Sequence, residues 1–181
     1  VNRPSLVTVL AEDERHVRFV HRYLRRLGYT NHEIRIEPLP SGRGCGEQWV
    51  RERYAQAVKA FRSRAARARS ALVVAIDADT EPVSRRLQQF RESLRLVQQP
   101  DRDDAEAIAH LIPKRSIETW LLCLTGKDVD EDTDYRREAN VDDLIRPAAE
   151  KFFDWSRPNV VPPARCVDSL LLAIQETRRL E

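Results

Sequence analysis

Two aspartates, Asp77 and Asp79, close the apolar run at residues 71–79 (ALVVAIDAD). Residues two apart in an extended segment project to the same side. Two carboxylates converging in this way repel each other unless a cation lies between them. An all-oxygen, part-hydrated site of that kind suits Mg²⁺ or Mn²⁺. A second acidic group, Glu12 with Asp13 and Glu14, follows a shorter apolar run, LVTVLA. With both runs as neighbouring strands, Glu12 completes the cluster as a metal ligand or a proton-transfer group. The plain alternative is a DxD that caps the next helix or faces water. Glu118 stands one helical turn past Lys114. It either favours the dipole of a helix that begins there or joins the carboxylates. Lys114 either contacts a phosphate, pairs with one of the acids, or stays solvated.

The elements that must position these groups follow from the apolar spacing. LVTVLA reads as a buried strand. Val17, Val20, Leu24 and Leu27 then recur at helical steps, and Gly28 stops the helix. Ile34 and Ile36 alternate with charged residues, predicting a second strand nearer the sheet edge. After the turn SGRGCG, a long helix is expected over residues 47–70, then the central strand at 71–79 and a helix at 81–96. Residues 107–113 read as a further strand. SIETWLLCLTG follows as a helix, with Ser116 as N-cap and Gly126 as stop. Residues 127–140 are acidic and irregular. Residues 141–155 are helical with a break expected near Arg146, before Pro147, and residues 167–180 form a final helix. Strand–helix alternation makes an α/β fold, a mainly parallel sheet flanked by helices on both faces. Its sites lie beyond the carboxyl ends of the strands, where the acidic groups fall. Residues 1–126 are read as the α/β domain, and 127–181 as a small helical C-terminal extension packed on the same core.

Composition bounds the classes. The chain has 181 residues, 41% hydrophobic and 33% charged, which fits one domain with a real core and excludes collagen-like and wholly disordered chains. No apolar run approaches the roughly 20 residues that span a bilayer, and no signal-peptide pattern opens the sequence. The expectation is therefore cytoplasmic, with no membrane partner. Three dispersed cysteines without a CxxC argue against a zinc site or a disulfide framework, and Cys123 reads as core. His16, His21, His32 and His110 show no metal-ligand spacing. Net charge is only +2 but segregated: residues 51–70 carry seven Arg or Lys against one Glu. Arg51, Arg62, Arg64, Arg67 and Arg69 would, on a shared face, neutralise backbone phosphates; otherwise they form an ordinary solvated side. Arg43, in the glycine-rich turn, would help cradle a phosphate.

VLAEDE after the first strand and AIDADT after the central one resemble the TOPRIM domain. This is the metal-binding α/β domain of topoisomerases, primases and the overcoming-lysogenization-defect nucleases. The resemblance spans roughly residues 5–125. It implies a Rossmann-like TOPRIM-type sheet, Mg²⁺ or Mn²⁺ held by Glu12, Asp77 and Asp79, and a hydrolase that cleaves DNA or RNA. LIPKRSIETW resembles the segment that supplies further Lys and Glu positions in some bacterial TOPRIM-like nucleases, which implies catalytic roles for Lys114 and Glu118 beside Glu12. The implied partners are nucleic acid and a separate ATPase subunit, in a phage-defence setting; a homodimer is left open. Asp13 stands where TOPRIM sequences usually have Gly, and Glu12 and Asp77 are 65 residues apart, a long spacing. These departures leave room for a second reading, a non-catalytic TOPRIM-fold subunit that binds a protein or nucleic-acid partner. The opening VTVLAEDERHVRFVHRYLRRLGY also resembles a response-regulator receiver, with Asp77 as phospho-acceptor and Lys114 as its lysine. The interval to Asp77 is too long for a receiver, and ADTEPVSRR follows in place of a Met-Pro turn.

Overall fold

The computed structural model describes residues 3–40 and 46–180. Its centre is set by two strands with few polar side chains, β1 (Leu6–Ala11) and β3 (Ser70–Ala75). All six residues of β3 are buried, as a strand covered on both faces requires. They run parallel, in register from Leu6 opposite Ser70 to Ala11 opposite Ala75. The short β2 (Ile34–Ile36) and β4 (Ile108–Leu111) add at the two edges, also parallel, giving the order β2-β1-β3-β4. The fold is thus α/β and Rossmann-like.

Side chains alternate across this sheet and divide the core in two. On one face Val7, Val9, Val73 and Ala75 meet α1 (Glu14–Arg26), α4 (Ile117–Leu124), α5 (Val141–Ser156) and α6 (Asp168–Thr177). On the other, Leu10, Leu72 and Val74 meet α2 (Gly46–Ala65) and α3 (Val83–Leu96). Phe152 of α5 anchors the first face, with ring centroids 5.3 Å from Phe19 and 4.9 Å from Tyr23. Residues beyond 127 therefore share a core with β1 and α1. At the β4 edge, Glu176 of α6 accepts the backbone N–H of His110 at 2.9 Å. No described helix is long and apolar enough to cross a membrane.

Three local expectations are corrected. The central strand ends at Ala75, not Asp79; Ile76 and Ala78 still donate to Leu111 and Pro113, but Asp79 adopts a positive φ of 60°. The helix expected to reach residue 70 ends at Ala65, because Ser70 is already in β3. Finally, α5 continues through Pro147 without a break. Pro147 and Asp143 are both exposed, so water can satisfy the carbonyl that the proline leaves without a donor.

Candidate metal centre

Parallel pairing of β1 and β3 delivers their carboxyl ends side by side. Glu12 stays zipped to β3 through its N–H on the Ala75 carbonyl, 3.0 Å. The backbone N–H of Asp77 donates to the Glu12 carboxylate at 2.9 Å. Burial, and then the charge of Asp77, push the Glu12 carboxyl up to about 7. Next in the chain, Asp13 caps α1 by accepting the His16 backbone N–H at 3.0 Å. The same oxygen lies 2.9 Å from His16 Nδ1, while His16 Nε2 lies 3.0 Å from Asp77 Oδ1.

His16 is fully buried between these two carboxylates. Burial alone would lower its pKa, but the Asp77 charge and the bonds to Asp13 and Asp77 raise it well above the usual histidine range. Asp13 is half-exposed, and its bonds and its attraction to His16 hold it well below the usual carboxylate range. Glu12, His16 and Asp77 each offer one ligand atom, all within 4.8 Å of one another.

Asp79 stands apart from this group. Its left-handed backbone, tolerable for aspartate, leaves its carboxylate paired with Arg136. Arg136 also approaches Asp77 Oδ2 at 3.6 Å and donates to the Arg115 carbonyl at 3.3 Å. The cation that the DxD pair demands is here a guanidinium from the acidic segment. Buried Arg86 braces the turn from beneath, donating to the Asp77 carbonyl at 2.9 Å and pairing with Glu47.

Glu118 is buried at the start of α4 and binds Arg15 Nη1 at 2.6 Å. Glu12, Asp77, Asp79, Glu118, Arg15 and Arg136 line one cleft of about 630 Å³. Gly46 opens α2 at its rim. A Cβ there would collide with the Glu12 carbonyl oxygen and stand 2.7 Å from its Cγ, so the close approach needs glycine. Lys114 does not line the cleft; its exposed ammonium pairs with Asp132 at 2.8 Å.

The basic residues read from the sequence do not gather here. Arg51 is near the site end of α2 and binds Glu47 at 2.9 Å. Arg62 clasps Glu106 at 2.6 Å, and Arg64 donates to Thr8 at 3.1 Å. Arg67 and Arg69 follow α2, where the Arg69 carbonyl meets Ser5 at the start of β1, the end of the sheet away from the carboxylates. Helix α2, 20 residues and about 30 Å long, carries these four arginines away from the site. Arg43 lies outside the described residues.

Sequence reasoning missed His16, Arg15 and Arg136. The usable signal for His16 was local: an N-cap aspartate with histidine three residues on puts both in one helical turn. No family model, curated protein or solved structure matches the chain.

Proposed function

We propose that this chain is a TOPRIM-like, divalent-metal-dependent phosphodiesterase acting on nucleic acid. The observation that carries the reading is the convergence of Glu12, His16 and Asp77 donor atoms within 4.8 Å at the carboxyl ends of adjacent parallel strands. Two carboxylates and an imidazole fit Mn²⁺, with Mg²⁺ the alternative if oxygen ligands and water dominate. Glu12, His16 and Asp77 would hold a divalent ion, which would supply polarisation of a phosphate oxygen and stabilisation of its developing negative charge. Asp13 accepts from His16 Nδ1–H, and a bound ion would take the place of the proton that Nε2 otherwise shares with Asp77. Glu12 serves as a ligand or as the group that takes a proton from the attacking water. Arg15 is held by Glu118, and Arg136 by the two aspartates; as the cations lining the cleft, they meet the phosphate charge. Lys114 takes no part in this reading, since Asp132 holds it outside the cleft lining. A separate ATPase subunit, in phage defence, is the setting proposed for this chemistry.

The test incubates the chain with Mn²⁺ or Mg²⁺ and plasmid, linear duplex, single-stranded DNA and tRNA, with Asp77→Asn alongside. Metal-dependent cleavage is expected from the wild type and a loss of at least about 100-fold from the variant. Circular dichroism checks that the variant is folded. Full activity of a folded Asp77→Asn overturns the assignment. A second reading, a non-catalytic subunit of the same fold, is favoured by one observation: Arg136 already neutralises the Asp77–Asp79 pair. Calorimetry with Mn²⁺ separates the two, because a scaffold has no need to bind it.

A further inference from the structure

We infer that the cleft between α1 and α5 is the surface that grips the phosphate backbone of a nucleic acid and leads it to the metal centre; the inference rests on the phosphodiesterase reading above. Helix α1 starts at the candidate site and runs away from it. Arg15, Arg18, Arg22 and Arg25 recur at steps of three and four, which places them on one stripe of the helix. From Arg15 to Arg26 the stripe extends about 16 Å at 1.5 Å per residue, room for several successive phosphates. Arg146 of α5 faces it across a cleft of about 510 Å³ that Arg18, Arg22, Arg25 and Arg26 also line.

The positive charge of this cleft is poorly compensated from within. Glu150 is its one acidic lining residue, and it binds Arg146 at 3.2 Å. Arg22, Arg25 and Arg26 are exposed and form no ion pair among the described residues. Arg25 donates to the neutral Tyr29 carbonyl at 2.8 Å, and Arg26 lies over the Phe153 ring at 5.2 Å. The helix dipole accounts for Arg25 and Arg26 in the last turn of α1. It does not account for Arg18 and Arg22 further back, or for Arg146 on another helix. Five arginines crowded with fewer carboxylates, Glu150 on Arg146 and Asp142 on Arg18, leave a positive field that an extended polyanion satisfies. Arginine forks also suit phosphate oxygens geometrically.

Continuity with the metal centre singles out nucleic acid among polyanions. Asp142 Oδ1 is 3.0 Å from Arg15 Nε and 3.5 Å from Arg18 Nη1, so one carboxylate joins the last arginine of the catalytic cleft to the first of the basic one. The arginines in the second half of α2 show the contrast, because half-buried Arg62 and Arg64 are tied to Glu106 and Thr8 toward the far end of the sheet. A membrane surface would call for exposed apolar side chains beside the basic ones. The most exposed ones, Leu96 and Val161, do not line this cleft.

The test measures fluorescence anisotropy of labelled single-stranded DNA, duplex DNA and RNA with the full chain, in EDTA so that nothing is cleaved. The Arg22→Glu/Arg25→Glu variant changes two exposed side chains. It is expected to lose at least tenfold in affinity for the nucleic acid that the wild type prefers. Its salt slope, log K against log[salt], should flatten by about 1.5, as two lost phosphate contacts require. Arg67→Glu/Arg69→Glu should stay within about twofold of the wild type. Equal affinity in the α1 variant, an equal loss in the control, or no nucleic acid bound by the wild type each overturns the inference. So does binding of phosphatidylserine vesicles in place of nucleic acid. A wild type that binds through Arg22 and Arg25 but never cleaves overturns the phosphodiesterase reading while the cleft stands. Cleavage indifferent to the α1 variant overturns the cleft alone.

Discussion

At the scale of the residue, His16 is the group that the spacing of the sequence concealed and the fold revealed. Asp77 is 61 positions away in the chain, and only parallel pairing of β1 with β3 brings it to the ring nitrogen. The convergence of Glu12 and Asp77 was legible, because each directly follows an apolar run that had to be a strand. Asp79 was legible in type but not in direction: the sequence predicts an extended DxD, and the left-handed backbone at Asp79 turns it to Arg136. An imidazole in the donor set makes a prediction about the ion. Mn²⁺ accepts nitrogen ligands more readily than Mg²⁺ does, so Mn²⁺ should bind at least about tenfold more tightly. Pulsed EPR of the Mn²⁺ form should show nitrogen coupling that His16→Gln abolishes. Equal affinity for the two ions, with no nitrogen coupling, would remove His16 from the ligand set and leave the carboxylates.

At the scale of the element, the start of α2 is a buttress for Glu12. A Cβ at Gly46 would meet the Glu12 backbone carbonyl first, which cannot yield by changing a rotamer. Gly46→Ala should therefore push Glu12 off its bond to the Asp77 N–H. Calorimetry should show Mn²⁺ affinity down by at least about tenfold, with overpacking costing about 1–3 kcal/mol of stability by urea unfolding. Unchanged affinity would mean that Glu12 is not a ligand. Helix existence was legible throughout from apolar spacing, including α5. What spacing does not encode is which end of a helix abuts a site. For this reason Arg62, Arg64, Arg67 and Arg69 looked like a guide to the carboxylates but lie toward the other end of the sheet. The continuity of α5 through Pro147 was hidden for a similar reason, since its tolerance depends on exposure.

At the scale of the whole molecule, the two faces of the sheet titrate in opposite senses. His110 is buried in the α2–α3 face, 3.0 Å from the Tyr54 hydroxyl. Burial, reinforced by Arg102, pushes its pKa well below 6.5. Below about pH 6.5 the unfolded chain takes up a proton there that the folded chain refuses. The contribution of His110 is thus complete above that pH and falls as the pH drops. His16 works the other way: its pKa is raised, so its contribution is complete below about 6.5 and is lost as the pH climbs through the folded value. His110→Gln keeps a polar partner for Tyr54 and removes the proton uptake. Urea unfolding between about pH 6.5 and 5 should show acid destabilisation reduced by up to about 2 kcal/mol. An identical pH slope in the variant would show that His110 titrates normally.

The bond from His110 N–H to Glu176 also bears on assembly. Residues of α6 pack along β4, and a carboxylate already occupies the position where another strand would present a carbonyl. At the opposite margin β2 offers three residues, with Arg35 at their centre. Short, charged or occupied margins are how sheets avoid growing from one molecule into the next. Among the described residues, the three-residue β2 margin is the one edge left open, so a second copy of this chain would find little β-ladder to extend.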